Sequence, residues 1–292
     1  MNESKKNRLI AEARTLRALY YFNLVRFFGD VPLILDLKTV EDSKGPRDSK
    51  ELIYDQIIED LTFAEEHLPL RSEYSASDEG RINKGAAKIL FGKVYLTKGD
   101  FQKAKDKLAE VVEHESEYGF GLHKDYHANW LRDTEAGIEA VLYIEYKEPP
   151  FQHNGEMALA GPKYSIPGSL GISALNEADI PTQELYDQFD NRDLRKKTNF
   201  KTEFAHLKTG EILKSSIPLS GKFWVEGLET GDRCDVNMHI IRYADAILMY
   251  AEALNEVGKS TKALAMLNRI RERAFGDDSG NFKPMSKDEF RT

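Results

Sequence analysis

The segment "ILFGKVYLTKGDFQKAKDKLAEVV" (residues 89–112) aligns without gaps on "LMYAEALNEVGKSTKALAMLNRIR" (residues 248–271). In both, apolar residues recur at helical spacing on either side of a central glycine. This repeated pattern is typical of the helix–turn–helix unit of a tetratricopeptide repeat. The equivalent positions are Gly92 and Ala251, Tyr95 and Leu254, Gly99 and Gly258, and Ala104 and Ala263. Small residues at the first and last of these pairs let helices approach closely, so we predict two helical pairs of the same kind.

Two further helices are predicted upstream of the first repeat segment. Residues 9–28 carry two apolar stripes, one through Tyr20 and the other through Phe22. A helix that is apolar on two sides is predicted to pack between neighbours, so its aromatic residues are predicted to form core. A capping box that starts at Asp48 predicts a second helix over residues 49–67, which would pair with the first.

Residues 112–240 separate the two repeat pairs and lack their helical spacing of apolar residues over most of this length. The alternating pattern at 140–146 and the apolar run at 221–227 predict short strands. We therefore predict a mainly α fold, in which residues 1–111 and 241–292 form one discontinuous tetratricopeptide-like scaffold. Residues 112–240 are predicted to form a long irregular, aromatic-rich insertion with a few short strands. Functional residues commonly lie on loops that a rigid scaffold holds, so we expect this insertion to face the ligand.

The charge balance argues against a nucleic-acid partner. The 292 residues include 41 Lys and Arg against 49 Asp and Glu, which gives a net charge of −8. Proteins that bind nucleic acids usually present a basic stripe that displaces counterions from phosphates. We therefore predict that this chain binds no nucleic acid.

Three segments are informative together, namely "AEARTLRALYYFNLVRFFGDVPL" (11–33), "GRINKGAAKILFGKVYLTKGDFQKA" (80–104) and "IIRYADAILMYAEALNEVG" (240–258). In this order they resemble the SusD/RagB-type proteins, which are nutrient-binding lipoproteins of Bacteroidetes outer membranes. Residues 176–195 also resemble the middle segment of that family. The resemblance implies a SusD-like protein at the cell surface that binds a glycan, or less often a peptide, without catalysis. It also implies delivery of that ligand to a SusC-like TonB-dependent transporter.

The resemblance implies that the protein touches the membrane only through a lipid anchor, whose cysteine this chain does not contain. It implies no cofactor. At the other end, Ser286 and Glu289 form a capping box that predicts a helix just where the sequence stops. We therefore expect the chain to be a piece of a longer protein.

The insertion supplies the candidate ligand-binding residues. Carbohydrates present apolar ring faces, and flat aromatic side chains can stack on them much as they stack on nucleic-acid bases. The candidates, either aromatic or able to hydrogen-bond, are Trp130, Tyr126, Asn129, Arg132, Tyr164 and Phe151. Trp130 is the first of these. Its alternative role is packing in the core, because large aromatic side chains are usually mostly buried.

Other chemistries have weaker support in the sequence. His123 and His127 lack a third metal ligand, and the loop 277–288 has Phe282 where a calcium-binding hand needs glycine, so we predict no metal site. No nucleophile motif and no phosphate-binding glycine loop occurs, so we predict no catalytic residues. Two alternatives stay open, namely a repeat adaptor that binds a peptide in a helical groove and a glycoside hydrolase with paired carboxylates.

Overall fold

The computed structural model describes residues 2–36, 39–147, 154–166 and 169–291. The helices found there are α1 (Glu3–Phe28), α2 (Lys50–His67), α3 (Lys84–Thr97), α4 (Phe101–Val112), α5 (Glu115–Tyr118), α6 (Glu156–Ala160), α7 (Gln183–Gln188), α8 (Arg195–Asn199), α9 (Tyr243–Glu256), α10 (Ser260–Phe275) and α11 (Lys287–Arg291). The strands are β1 (Ala140–Ile144), β2 (Phe200–Ala205), β3 (Ile212–Ser220) and β4 (Met238–Arg242). The predicted mainly α fold class is therefore confirmed. None of the helices in these ranges has both the length and the apolar character needed to cross a membrane.

The chain divides into two compact units. The first comprises Met1–Phe120, Asp245–Ala263 and Met285–Thr292, and the second comprises Gly121–Ala244 and Leu264–Pro284. The first unit contains α1 to α5, most of α9, the start of α10, and α11. The second contains the four strands, the short helices α6 to α8, and the rest of α10. The domain boundaries drawn from the sequence, at residues 112 and 240, stay a prediction.

The two predicted repeat turns, both in the first unit, share one backbone geometry. Gly99 has φ +77° and Gly258 has φ +78°, a left-handed conformation that glycine adopts without steric cost. In each turn, the residue after the glycine donates its amide hydrogen to a carbonyl oxygen four positions before the glycine. That oxygen belongs to Tyr95 in the first turn, at 3.0 Å, and to Leu254 in the second, at 2.8 Å. The internal repeat is therefore present at the level of individual hydrogen bonds.

Small residues allow close packing inside the first unit. A Cβ atom built on Gly92 would lie only 2.5 Å from Cγ of Leu108, so α3 and α4 meet where a larger residue does not fit. Ala104, Ala251 and Ala263 are all buried. These four small residues therefore lie in the core, where they permit helix contact.

Only one of the two apolar stripes of α1 is packed. Phe22 is 1% exposed and lies on the buried face together with Ala18 and Val25, whereas Tyr20 is 63% exposed and Phe27 is also exposed. The prediction of a helix packed on both sides is therefore wrong for the stripe of Tyr20 and Phe27. The reason is that α2, the principal neighbour of α1, covers the face of Phe22.

The helix ends follow the predicted capping chemistry with one change. Ser49 caps α2, because its hydroxyl accepts the amide hydrogen of the third residue that follows. Asp48, predicted for that role, instead accepts the amide hydrogen of Leu33 at 2.7 Å. At the start of α11, Glu289 accepts the amide hydrogen of Ser286 at 2.7 Å, so the predicted capping box is confirmed.

Two short antiparallel pairs organise the second unit. β1 pairs with β4, and β2 pairs with β3. The predicted strand at 140–146 is confirmed as β1, but the prediction of a strand at 221–227 is wrong. β3 ends before this segment, and the amide of Trp224 donates to the carbonyl oxygen of Gly221 at 3.2 Å, which closes a turn. Trp224 then packs against the core of the unit.

Candidate functional site

The segment that carries the first candidate residues forms a 3₁₀ turn, Tyr126–Trp130, in the second unit. Tyr126 is 7% exposed and Trp130 is 6% exposed, and their ring centroids lie 4.8 Å apart in an edge-on arrangement. They belong to one core cluster with Met157, Cys234 and Val236. A ring buried to this degree offers no open face to a sugar. In this structure Trp130 therefore packs as core, the alternative that the sequence left open, and does not form an exposed platform.

Asn129 belongs to a buried polar network around Glu139. The carboxylate of Glu139 is fully buried and accepts hydrogen bonds from Nη1 of Arg242 at 2.6 Å and from Nη1 of Arg273 at 2.7 Å. Nδ2 of Asn129 donates to the same carboxylate at 3.2 Å. Both guanidinium groups also lie over the ring of Tyr126, at 5.7 and 5.1 Å from its centroid. The predicted residues Tyr126 and Asn129 thus help to hold two cations, of which Arg273 is buried and Arg242 is partly exposed.

The other candidate residues make different contacts. Arg132 is partly exposed and pairs with Asp235, with 2.6 Å between Nε and Oδ1. Tyr164 is 76% exposed, and its loop is fixed because the carboxylate of Glu177 accepts three consecutive amide hydrogens at 2.7–2.9 Å. Phe151 lies outside the described residues. Tyr164 is therefore the described aromatic candidate with an open ring.

A cleft of about 490 Å³ adjoins the buried turn, and we call it the Lys222 cleft. Its apolar lining includes Leu185, Phe189 and Phe200. Its polar lining consists of Asp179, Thr182, Asn199, Ser220 and Lys222. This volume and this mixture of ring faces with a few polar groups are typical of small-molecule sites.

Local structure explains why these residues converge. Thr182 accepts the amide hydrogen of Leu185 at 3.1 Å and so begins α7, which presents Leu185 to the cleft. The ring of Phe189, just after α7, meets the ring of Phe200 edge-on at 5.0 Å. The pairing of β2 with β3 sets Phe200 opposite Ser220, which leaves Lys222 two positions further on.

Two contacts join the cleft to the buried turn behind it. The hydroxyl of Tyr126 donates to Oδ1 of Asn199 at 3.1 Å. Nζ of Lys222 lies 5.2 Å from the ring centroid of Trp130, within the range of a cation–π interaction. Tyr126 and Trp130 therefore support cleft residues from behind and do not line the cleft themselves.

A second cleft in this unit, of about 510 Å³, is lined by Phe275 and Phe282, and we call it the Phe275 cleft. The guanidinium of Arg271 lies over both rings, at 4.7 and 4.6 Å from their centroids. Arg192, which also lines this cleft, pairs with Asp190 at 2.6 Å. These two arginines are thus already engaged by groups of the protein.

Three residues that line the cleft were not predicted from the sequence, namely Lys222, Phe189 and Asn199. Phe189 lies in the segment that resembles the middle of the family, which was a usable signal. Lys222 is one of 41 basic residues, and nothing in its spacing distinguishes it from the others. Its role becomes visible only through the contacts that surround it.

Glu135, three residues after Arg132, is a buried carboxyl group whose titration can be tested. It is almost fully buried, and Oε2 accepts the amide hydrogen of Asn237 at 2.8 Å. Burial raises the pKa of Glu135 to about 7, although the hydrogen bond from Asn237 opposes this shift. The neighbouring carboxylate of Asp235 raises it further.

The raised pKa of Glu135 predicts a fall in stability with rising pH. Because the folded protein binds this proton more tightly than the unfolded chain does, its contribution is present at low pH and is lost between the ordinary pKa of 4.5 and about 7. Glu135→Gln should remove this slope and exceed the natural protein in stability at pH 8 by about 1–2 kcal/mol, allowing for solvent screening. Urea unfolding at pH 5 and pH 8 measures the effect. The exposed Glu211→Gln serves as the control, and an unchanged slope in Glu135→Gln would contradict the assignment.

Comparisons with known proteins agree with these observations. Residues 1–96 match a family described as "Starch-binding associating with outer membrane", and residues 217–292 match one described as "SusD family". SusD-like protein P2 of Formosa agariphila is 31% identical over 99% of this chain and 60% of its own length. A SusD superfamily structure from Parabacteroides distasonis has a TM-score of 0.81 at 28% identity and covers 99% of this chain and 64% of its own. A laminarin-binding SusD-like structure has a TM-score of 0.78 at 28% identity, with 98% and 67% covered.

Helical pairs in the first unit and two clefts in the loop-rich second unit are features of a binding protein with a repeat scaffold. The chain is therefore a SusD-like protein, and the family that its residues 1–96 match is described as associating with the outer membrane. This description places the protein at the outer membrane. The chain spans about three-fifths of the length of the Formosa relative.

Proposed function

We propose that the whole protein is a lipid-anchored surface protein that binds an oligosaccharide or polysaccharide and delivers it to a SusC-like TonB-dependent transporter, without catalysis. The observation that carries this proposal is the Lys222 cleft, which combines ring faces with hydrogen-bonding side chains in a chain of a glycan-binding family. The laminarin-binding relative supports a carbohydrate as the class of ligand.

The side chains of the cleft suit the two kinds of surface that a sugar presents. Phe189 and Leu185 offer apolar contact to the CH groups of a sugar ring. Thr182, Asn199 and Ser220 carry groups that donate or accept hydrogen bonds with hydroxyls. The hydroxyl of Tyr126 holds Oδ1 of Asn199 and so orients its amide group. A cleft with these groups already in place loses little entropy on binding.

Loss of the ring of Phe189 is expected to weaken glycan binding by about tenfold or more, since a stacked ring contributes about 1–3 kcal/mol in comparable aromatic sites. A glycan array followed by isothermal titration calorimetry with its best oligosaccharide compares the natural protein, Phe189→Ala and Phe189→Leu. The leucine variant keeps the apolar volume but lacks the ring. Thermal unfolding of each variant shows that it is folded.

Phe282→Ala is the matched control for this experiment, because Phe189 lines both clefts and Phe282 lines only the Phe275 cleft. Loss of affinity in the Phe189 variants alone supports the Lys222 cleft as the site. Equal loss in Phe282→Ala moves the site to the Phe275 cleft. Failure to bind any glycan, together with capture of a peptide from a peptide library, would replace the proposed ligand class.

The transporter and the absence of catalysis have their own tests. The full-length protein, tagged and expressed in its native host, should co-purify from outer membranes with a TonB-dependent transporter. Consistent absence of such a transporter would exclude this partner. The purified protein should also leave the bound glycan at its original length after prolonged incubation, whereas turnover would favour a glycoside hydrolase.

A further inference from the structure

Lys222 is a half-buried cation with no partner of opposite charge. Its Nζ lies over the ring of Trp130 at 5.2 Å. Within the ranges that the structure describes, no carboxylate lies within 4 Å of this nitrogen and no acceptor forms a hydrogen bond with it. Asp179, the one acidic residue among those that line the cleft, is exposed and forms no ion pair with Lys222.

The charged groups around Lys222 are also positive, and each of them contacts a carboxylate. Arg195 pairs with Asp193 at 2.6 Å, and Arg242 pairs with Glu139 at 2.6 Å. Burial lowers the pKa of Lys222, and the charges of Arg242 and Arg195 lower it further. Of these three cations, Lys222 is the one that contacts no carboxylate.

An unpaired ammonium in a partly desolvated site is unfavourable unless a counter-charge approaches. The cation–π contact with Trp130 offsets part of this cost. An anionic group on a bound ligand would supply the missing charge and would form a charge-assisted hydrogen bond, the strong kind. The cleft that Lys222 lines can hold such a ligand next to apolar contacts from Phe189 and Leu185.

We propose that the Lys222 cleft selects acidic glycans, and that the ammonium of Lys222 binds the anionic substituent of a sugar, either the carboxylate of a uronic acid or a sulfate ester. This inference rests on the proposed function, since it names the class of glycan that the same cleft binds. In the bound state, the anion lies against Lys222, the apolar face of the sugar lies against Phe189, and its hydroxyls reach Asn199 and Ser220.

Pairs of oligosaccharides that differ only in charge test this proposal by isothermal titration calorimetry. One pair is oligogalacturonate and its methyl ester, and the other is a sulfated carrageenan oligosaccharide and its desulfated form. The natural protein should bind at least one charged member about tenfold or more tightly than its neutral counterpart. The pair that shows the preference identifies carboxylate or sulfate as the source of the anion.

Variants of Lys222 separate ligand recognition from structural support. Lys222→Met, which keeps most of the aliphatic stem, and Lys222→Gln should each lose the preference for the charged member, so that the two members of a pair bind with affinities within about twofold of each other. Lys222→Arg should retain most of the preference, because the positive charge is kept. Lys214→Gln, on the preceding strand β3 and strongly exposed, is the matched control and should behave like the natural protein.

Salt gives a readout that needs no variant. Binding of the charged oligosaccharide by the natural protein should weaken several-fold between 50 and 500 mM NaCl, and binding of the neutral one should not. Equal affinity for charged and neutral forms, binding of neutral glycans alone, or an unchanged preference in folded Lys222→Gln and Lys222→Met would overturn the proposal and leave the proposed function intact. Absence of binding to every glycan would instead refute the proposed function itself.

Discussion

Replacing Glu139 with glutamine is expected to lower the free energy of unfolding by about 3–5 kcal/mol. This single buried carboxylate binds two arginines, with 2.6 Å to Arg242 and 2.7 Å to Arg273. Glutamine keeps the shape of the side chain but removes its charge, so the two guanidinium groups would lose their counter-charge. Arg273 is the more affected of the two because its side chain is almost completely buried. The same change should loosen the support of Tyr126, over which both cations lie.

Urea unfolding followed by circular dichroism measures this loss at pH 7. Glu203→Gln is the control, because its ion pair with Lys214 is exposed and contributes less than about 1 kcal/mol. The double variant Glu139→Gln/Arg273→Met should recover part of the loss, since it also removes one of the two cations left without a partner. A loss in Glu139→Gln no larger than that in Glu203→Gln would show that the network contributes little.

The helical scaffold could be predicted because its determinants are local. Helical spacing of apolar residues is visible in a short window, and Gly99 and Gly258 mark turns whose hydrogen bonds span only a few residues. Gly92 contacts Leu108, which lies in the same repeat segment. Patterns between residues close in sequence can be recognised without knowing how the rest of the chain folds.

The candidate site could be predicted only in part because its contacts join distant parts of the sequence. Tyr126 reaches Asn199 across 73 positions, and Arg273 reaches Glu139 across 134. The segment around Trp130, which the sequence predicts to bind the ligand, lies next to the Lys222 cleft and does not line it. Whether its rings face solvent depends on which other segments fold over them, and no pattern within the segment carries that information.

For the same reason, the sequence does not distinguish Lys222 from the other lysines of the chain. A lysine differs from other lysines when no carboxylate of the folded chain lies next to it. Which carboxylates lie next to it is decided by the tertiary structure. Arg195 and Arg242 find carboxylates in the folded chain, but Lys222 does not. The binding properties of the cleft therefore depend on which cations contact a carboxylate. The fold determines these contacts, and the composition does not.

The opening helix shows a further ambiguity of periodicity. Tyr20 and Phe22 are two positions apart on α1, so they lie on different faces of the helix. The spacing of apolar residues identifies both faces as apolar, but it does not say which of them a neighbour covers. In the structure, α2 covers the face of Phe22 and leaves Tyr20 open to solvent. The two aromatic residues should therefore differ sharply in their contributions to stability.

Phe22→Ala is expected to lower the free energy of unfolding by about 3–5 kcal/mol, because it removes a large side chain that is 1% exposed and leaves a cavity. The guanidinium of Arg26, which lies 4.3 Å from the centroid of this ring, would lose its cation–π partner as well. Urea unfolding of the purified chain, with the slope of the transition compared between variants, measures the change.

Tyr20→Ala is the matched control on the same helix, and it should cost less than about 1 kcal/mol because its side chain is 63% exposed. Phe22→Leu separates volume from ring contact, and it should retain more than half of the stability that alanine loses, since leucine refills most of the cavity. Similar losses from Tyr20→Ala and Phe22→Ala would mean that both stripes of α1 are packed in solution. In that case the exposed face seen here is covered by another polypeptide segment, and stability should then depend on protein concentration if that segment comes from a second molecule.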